Sequence, residues 1–319
     1  MKNIHKQHIE LAVTYKTHKN FAKEYEKHKK ELSLINKKTF GDLGMKFNDV
    51  QLNYDVSVTS DNVPLHSHAF TEILYCDGGA VSYLLNGRKF QFSKGDLIFI
   101  HPGVAHQPLF SEDAQYPYER YALWISDSLS KKLTNNIESI RLLDDFFRRQ
   151  EQFLFHLNAE ESYRTEAILK SIIDEYNQER TGWDTMILSK VVELMIDFCR
   201  IITSGETNKK EVVHEDLMDK MVAYINTHLS EKITLDVLSK EFYVSTSTIY
   251  NYFKDNMNVS PYKFILQRRL IQAKNLILQG ESLISLWQQC GFSDYSTFYR
   301  AFKKEYSISP KKYRELLLG

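Results

Sequence analysis

Cysteine, proline and glycine are scarce in this chain, at 3, 6 and 12 of its 319 residues. Cys76, Cys199 and Cys290 are widely spaced and form no Cys-x-x-Cys pair, which fits a reducing compartment. So little glycine and proline, beside 43% hydrophobic residues, excludes collagen-like, low-complexity and disordered chains. No apolar run approaches the roughly 18 residues that a membrane-spanning helix needs. Residues 1–30 are rich in Lys, His and Glu and hold no secretory apolar stretch. These absences predict a soluble cytoplasmic protein with no membrane partner. Net charge is lacking too: 41 basic residues face 41 acidic ones, so the chain is no generic polycation. Its length and apolar content suffice for packed cores and suggest two domains.

The texture changes several times along the chain. Residues 1–40 read as a polar helical extension whose apolar stripe (Ile9, Val13, Phe21) is too narrow for a core element. Over 41–126, short apolar runs alternate with Gly, Asn and Pro turns, and Asn86-Gly87 between two such runs predicts a hairpin. Many short, regularly spaced strands indicate a small sandwich or barrel. Residues 127–203 read as helical, with one stripe of Ile168, Leu169, Ile172, Ile173 and Tyr176 and another of Val191, Leu194, Met195, Phe198 and Ile202. Residues 204–215 form a polar linker, and 216–319 are helical again. That last segment holds 14 Lys and Arg against 10 Asp and Glu, a net of +4 that leaves −4 to the remainder. The neutral total thus conceals a mildly basic C-terminal domain.

The C-terminal domain contains an internal repeat. Ser245-Thr-Ser-Thr-Ile-Tyr-Asn-Tyr-Phe-Lys254 aligns with Asp294-Tyr-Ser-Thr-Phe-Tyr-Arg-Ala-Phe-Lys303 at an offset of 49, continuing through Ser260-Pro261 and Ser309-Pro310. Upstream, Leu235, Leu238 and Ser239 match Leu283, Leu286 and Trp287 at an offset of 48. Each copy reads as a helix, a turn and a second helix that starts on a capping Ser or Asp. Ile249 and Phe253, like Phe298 and Phe302, lie four apart and face inward. The outward positions then carry hydroxyl, amide and guanidinium groups suited to base edges in a DNA major groove. Lys254, Lys303, Lys304, Lys311, Lys312 and Arg314 fall near helix ends, where phosphates would lie. A pair of helical hairpins forming a protein-binding bundle satisfies the same pattern.

The stretch from Arg269-Leu-Ile-Gln-Ala-Lys through Cys290-Gly-Phe-Ser-Asp-Tyr-Ser-Thr-Phe-Tyr-Arg-Ala-Phe-Lys-Lys to Ser309-Pro-Lys-Lys-Tyr-Arg314 closely resembles the C-terminal signature of AraC/XylS-type transcription regulators. The resemblance covers about a hundred residues, both repeats included. It implies two recognition helices entering successive major grooves of double-stranded DNA. By register, the base readers are Ser247, Tyr250 and Asn251, then Tyr295, Ser296, Thr297 and Arg300, with Lys254, Lys303 and Lys304 beside the backbone. Two departures stand out. Trp287 occupies a position where the family usually has a small residue, so the second unit is expected to sit differently. Asn258 and Ser307 replace the glycine expected before each Ser-Pro turn, and of the two Ser tolerates a left-handed backbone less readily.

Farther upstream, Pro64-Leu-His66-Ser-His68-Ala-Phe-Thr-Glu72, followed by Gly95-Asp96 and Pro102-Gly103-Val-Ala-His106, resembles the two motifs of the cupin barrel. On a strand His66 and His68 would share one face, with Glu72 on the same parity. With His106 they make a set able to hold a divalent ion such as Zn, Fe, Mn or Ni. The same groups could instead bind a small effector or simply stabilise the barrel. Trp124, Phe70 and Tyr83 are candidate aromatic walls for a sugar, with Arg120 as a charged contact; each serves equally as core or rim. The helices at 127–203 either cover the barrel and provide a dimer surface, or bury their stripes within one chain.

The expected fold is therefore α+β in two domains: an N-terminal cupin-like β-barrel with flanking helices, and a C-terminal all-α double helix-turn-helix. The expected function is that of a non-enzymatic, homodimeric transcription regulator. It would be an activator contacting RNA polymerase and responding to a small effector, a sugar by family resemblance. The competing readings of the barrel are a metal site, an enzyme-like cupin (which turnover would reveal), and a module for assembly or partner contact only.

Overall fold

The computed structural model describes residues 45, 49–57, 63–110, 114–150, 153–203, 217–257 and 259–318. The helix expected over 1–40 and the linker at 204–215 lie outside the described residues, as does Asn258.

A curled seven-stranded antiparallel sheet forms the N-terminal half: β1 (Val50–Ser57), β2 (Thr71–Leu85), β3 (Arg88–Ser93), β4 (Asp96–Ile100), β5 (His106–Leu109), β6 (Gln115–Ile125) and β7 (Leu154–His156). Its order is β1-β6-β2-β4-β7, with β3 and β5 pairing the far end of β2. The long β2 makes this possible. Its first half pairs β4 and β6, and its second half pairs β3 and β5. The register slips between Cys76 and Gly78 and again between Gly78 and Ala80, so the strand bends there and the sheet closes on itself. Gly79 sits at the bend with φ +73°, where a Cβ would lie 2.4 Å from the carbonyl oxygens of Gln115 and Pro117. The Asn86-Gly87 hairpin forms as expected, with φ of 47° and 93°, the left-handed pair that a two-residue turn of this type requires.

Side chains alternate along the strands between two apolar layers. Leu74, Cys76, Val81, Tyr83, Leu85, Ile98, Ile100 and Tyr118 pack together inside the barrel. Ile73, Tyr75, Leu97, Phe99, Leu123 and Ile125 face outward onto helices. Those helices are α1 (Asp127–Asn136), α2 (Glu138–Gln150), α3 (Ala159–Gln178) and α4 (Trp183–Thr203). Both stripes read from the sequence are spent here: Ile168, Leu169, Ile172, Tyr176, Val191, Leu194, Met195 and Phe198 are buried against the barrel. The structure departs from the all-helical expectation for 127–203 at Leu154–His156, which pairs with β4. Three residues are too few to display a period-two pattern.

The C-terminal half is helical: α5 (Leu217–Thr227), α6 (Leu235–Phe242), α7 (Thr246–Met257), α8 (Pro261–Leu278), α9 (Leu286–Gln289), α10 (Tyr295–Tyr306) and α11 (Pro310–Leu318). Ser245 caps α7 through Thr248 N at 3.1 Å, and Asp294 caps α10 through Thr297 N at 2.7 Å. Helices α7 and α10 each span 12 residues and begin 49 apart, as do α8 and α11. The units differ in their first helices. α6 has eight residues, whereas α9 is one turn of four whose Ser285 makes no side-chain cap. Trp287 lies in that turn, only partly buried against the second core. Ser307 adopts φ +64°, the left-handed helix end that glycine usually supplies.

Candidate effector site and nucleic-acid interface

In α7, Ile249, Phe253 and Met257 are buried and Ser247, Tyr250, Asn251 and Lys254 are exposed. In α10, Phe298, Phe302 and Tyr306 are buried and Tyr295, Ser296, Arg300, Lys303 and Lys304 are exposed. The 3.6-residue period thus assigns one face of each helix to a core and frees the opposite face. Thr297 differs from the other expected base readers: it is half-buried, and its hydroxyl donates to Asp294 at 2.9 Å. Arg300 folds back only as far as the Ser296 carbonyl, 3.3 Å from Nε, leaving its guanidinium accessible.

The barrel brings together three of the four expected ligand residues. Donor atoms of His68, Glu72 and His106 all lie within 4.8 Å of one another, and all three residues are buried. His106 comes from β5 and Glu72 from β2. His66 and His68 are not on a regular strand, as the sequence had suggested; they lie in the segment before β2, tied down by an isolated bridge between His66 and His106. His66 therefore flanks the cluster, its ring centroid 4.2 Å from that of His106, and stands outside the three-residue set.

Each of these imidazoles turns Nδ1 toward a backbone carbonyl: His66 to Pro64 at 2.9 Å, His68 to Phe70 at 2.8 Å and His106 to Val104 at 2.9 Å. A carbonyl oxygen only accepts, so Nδ1 carries hydrogen in all three, and in a neutral ring Nε2 is then a bare lone pair. The Nε2 atoms of His68 and His106 lie 3.1 and 3.2 Å from the same carboxylate oxygen, Glu72 Oε2. His106 Nε2 is buried without a hydrogen-bond partner. The second carboxylate oxygen accepts from Trp124 Nε1 at 2.7 Å, Trp124 being directly opposite Glu72 in the β2–β6 register. Burial opposes ionisation of Glu72, and the two imidazoles outweigh it, holding the carboxyl well below its usual range. Burial, then His106 and His68, hold His66 well below the ordinary histidine value. Two lone pairs and a carboxylate aimed at one point need a cation between them, a proton or a metal ion. The two-imidazole, one-carboxylate donor set with fixed Nδ1 partners fits a divalent transition metal.

The other expected wall residues have separate duties. Trp124 orients Glu72, and Phe70 stacks on His68 at 3.9 Å and packs on Trp124 at 4.8 Å. Tyr83 is buried in the barrel core. Arg120 lies over the Tyr118 ring at 4.8 Å, donates to Ser57 Oγ at 3.1 Å and faces Asp55 at 3.6 Å. Phe70 and Thr71 also line a cleft of about 1130 Å³ that runs between the barrel, α1 and the C-terminal helices, reaching Asn275 and Leu317. The three cysteines are free and buried; burial pushes the thiols of Cys76 and Cys290 up to about 12 and that of Cys199 to about 11, which removes them as nucleophiles.

Two family matches divide the chain where its architecture divides. Residues 53–167 match the AraC-like ligand binding domain, and residues 238–316 match a helix-turn-helix domain. The chain belongs to the AraC family of transcriptional regulators. YdeC of Bacillus subtilis, an uncharacterised helix-turn-helix transcriptional regulator, is 22% identical over 258 residues, covering 80% of this chain and 87% of YdeC. The transcriptional activator RhaS of Salmonella paratyphi B is 19% identical, covering 79% of this chain and 87% of its own length. LumQ of Photobacterium leiognathi, a probable transcriptional regulator, is 38% identical over 92 residues, or 28% of this chain and 37% of LumQ. Like these relatives, the chain is a transcriptional regulator, with a ligand-binding domain and a DNA-binding domain. Among the described residues no helix is long and apolar enough to cross a membrane.

In this AraC-family regulator the two halves meet through residues the sequence reading did not single out. Arg268 of α8 donates from Nε to Asn226 at 2.8 Å and from Nη2 to the hairpin residue Asn86 at 3.2 Å; burial pushes its guanidinium down to about 10. Lys274, buried to 1% exposure, donates to the Ser67 carbonyl, and Asn275 donates to the Gly103 carbonyl at 3.0 Å. The available signal was a lysine on the apolar stripe of α8, between Leu270, Ile271 and Ile277. Lysine is almost never fully buried unless its charge is engaged.

Proposed function

We propose that this regulator is a homodimeric activator that reads its operator with α7 and α10 and receives a small effector at the His68–Glu72–His106 end of the barrel. The observation carrying the DNA reading is the pair of exposed helical faces repeated 49 residues apart. Ser247, Tyr250 and Asn251, with Tyr295, Ser296, Thr297 and Arg300, are the base-edge residues. Asn suits adenine and Arg suits guanine, while Lys254, Lys303 and Lys304 neutralise phosphates. Thr297 contributes chiefly by holding the start of α10. A dimer brings four helix-turn-helix units to two half-sites. Activation, the role printed for RhaS, implies contact with RNA polymerase, and the protein works where the chromosome is, in the cytoplasm. The barrel is a sensor in this reading rather than a catalyst.

Two effector chemistries fit the site. Polar groups beside the Phe70–Trp124 aromatic pair suit a sugar, whose hydroxyls and apolar ring face need both. A divalent transition-metal ion is favoured by a specific observation: the Nε2 lone pairs of His68 and His106 converge on an already occupied carboxylate, which leaves little for a hydroxyl to donate to. Calorimetric titration of the full chain with a panel of sugars and with Zn²⁺, Ni²⁺ and Mn²⁺ separates them. The cation reading predicts one ion per chain, with binding abolished in Glu72→Gln and in His106→Ala and sugar heats absent. The sugar reading predicts the reverse. A ligand at a hundred times its Kd adds about 2.7 kcal/mol of stability, visible as a rise of several degrees in Tm. No response to any member of the panel would overturn both.

A further inference from the structure

Two short segments carry the effector cluster, and the same two segments carry most of the barrel's contact with the DNA-binding half. The segments are 65–68 and 103–106, and within them the direction of contact alternates. His66, His68, Val104 and His106 face the barrel side. Leu65 and Ala105 point the other way, into one apolar cluster with Met221, Val222 and Ile225 of α5, Ile249 and Phe253 of α7 and Phe264 of α8. The backbone follows the same pattern, for Ser67 O holds Lys274 and Gly103 O holds Asn275. Gly103 N in turn donates to the His68 carbonyl at 2.8 Å. A displacement of His68 or His106 therefore acts one peptide away from the interface, in packing too dense to absorb it.

The two helix-turn-helix units are not equally exposed to this. The first completes its core with barrel residues Leu65, Leu84 and Ala105. The hairpin tip presses on it as well: a Cβ on Gly87 would lie 1.9 Å from Val222 Cγ1. The second unit has a separate core of Leu270, Ala273, Ile277, Leu286, Phe298, Phe302 and Tyr313, in which no barrel residue takes part among those described. We infer that the barrel governs the first helix-turn-helix unit alone: occupancy of the cluster changes how α7 is held, through segments 65–68 and 103–106, while α10 keeps its grip on the operator. This rests on the reading that the cluster receives the effector. The coupling itself is a property of the interface and can be tested without a ligand.

Hydrogen exchange of the full chain tests both parts, using Zn²⁺ as the probe and Asn275→Ala as the interface variant. Lys274→Gln serves as a second variant at a separate bond. Without metal, each variant should lower protection in α5–α7 about fivefold, the loss expected for one broken bond at the junction. Protection in α10 and α11 should stay at the wild-type level. Zn²⁺ should alter protection of α5–α7 in the wild type, with a much smaller response in Asn275→Ala. If both variants leave α5–α7 as in the wild type, or change α10 and α11 equally, the inference is overturned. A variant effect without any zinc response overturns the cation reading of the cluster and upholds the coupling.

Discussion

Phe302→Ala is expected to destabilise the second helix-turn-helix unit by about 3–5 kcal/mol, the cost of emptying a large aromatic site in a closed core. Phe302 has no exposure and is the centre of an aromatic cluster, with ring centroids 5.7 Å from Phe298, 4.6 Å from Tyr306 and 5.7 Å from Tyr313. It is therefore the point at which α10 is pinned to α11. Both helices are short, and isolated helices of their length are marginal in water, so they depend on this packing. Equilibrium urea unfolding, with hydrogen exchange localised to α10 and α11, measures the loss. The barrel transition should be nearly unmoved, because the second core excludes barrel residues. A loss spread evenly over both halves would mean that the two cores unfold as one.

Gly291→Ala is expected to cost about 3 kcal/mol for a different reason, backbone strain and a close approach. Gly291 has φ +73°, and a Cβ there would lie 2.0 Å from the Leu229 carbonyl oxygen and 2.9 Å from Arg269 Nη2. That carbonyl accepts from Arg269 Nε at 3.1 Å. The substitution must displace the end of the first unit from the turn of the second and disturb the arginine that joins them. Gly280 is the internal control. Its φ is +86° and nothing lies within 4 Å of its Cβ position, so Gly280→Ala loses only the left-handed backbone preference, about 1 kcal/mol. Thermal unfolding of the two variants should rank them in that order. Equal losses would remove the close contact from the account.

What the sequence made legible was local. The Asn86-Gly87 turn, the Ser245 and Asp294 caps, the inward pairs Ile249–Phe253 and Phe298–Phe302 and the register of the repeat each depend on a few neighbouring residues, and the α+β, two-part fold follows from them. The candidate cluster was legible as residue types: His68, Glu72 and His106 converge. Their backbone was not, because a strand parity argument cannot see that residues 66–68 form an irregular segment held by a single bridge. His66 fell outside the set for that reason. β7 was hidden because three residues show no period. The shortening of α9 to one turn coincides with Trp287, the departure noted in the sequence, although its extent depends on packing against the second core. Least legible was the junction between the halves. Lys274, Asn275 and Arg268 look like ordinary polar residues of an amphipathic helix until the barrel is placed beside them.

The central claim is that the exposed faces of α7 and α10 read sequence, and it is tested most directly by comparing Arg300→Ala with Lys304→Ala. Both residues are exposed on α10, so neither change should disturb the fold. The DNA is a duplex selected from a random library by the full chain, and binding is measured across sequences and salt concentrations. Arg300→Ala is expected to cost about 1–3 kcal/mol at one base position and to relax the preference there. Lys304→Ala should weaken all sequences alike and reduce the salt slope by about one. An Arg300→Ala protein that selects the same sequence with the same affinity would contradict the account.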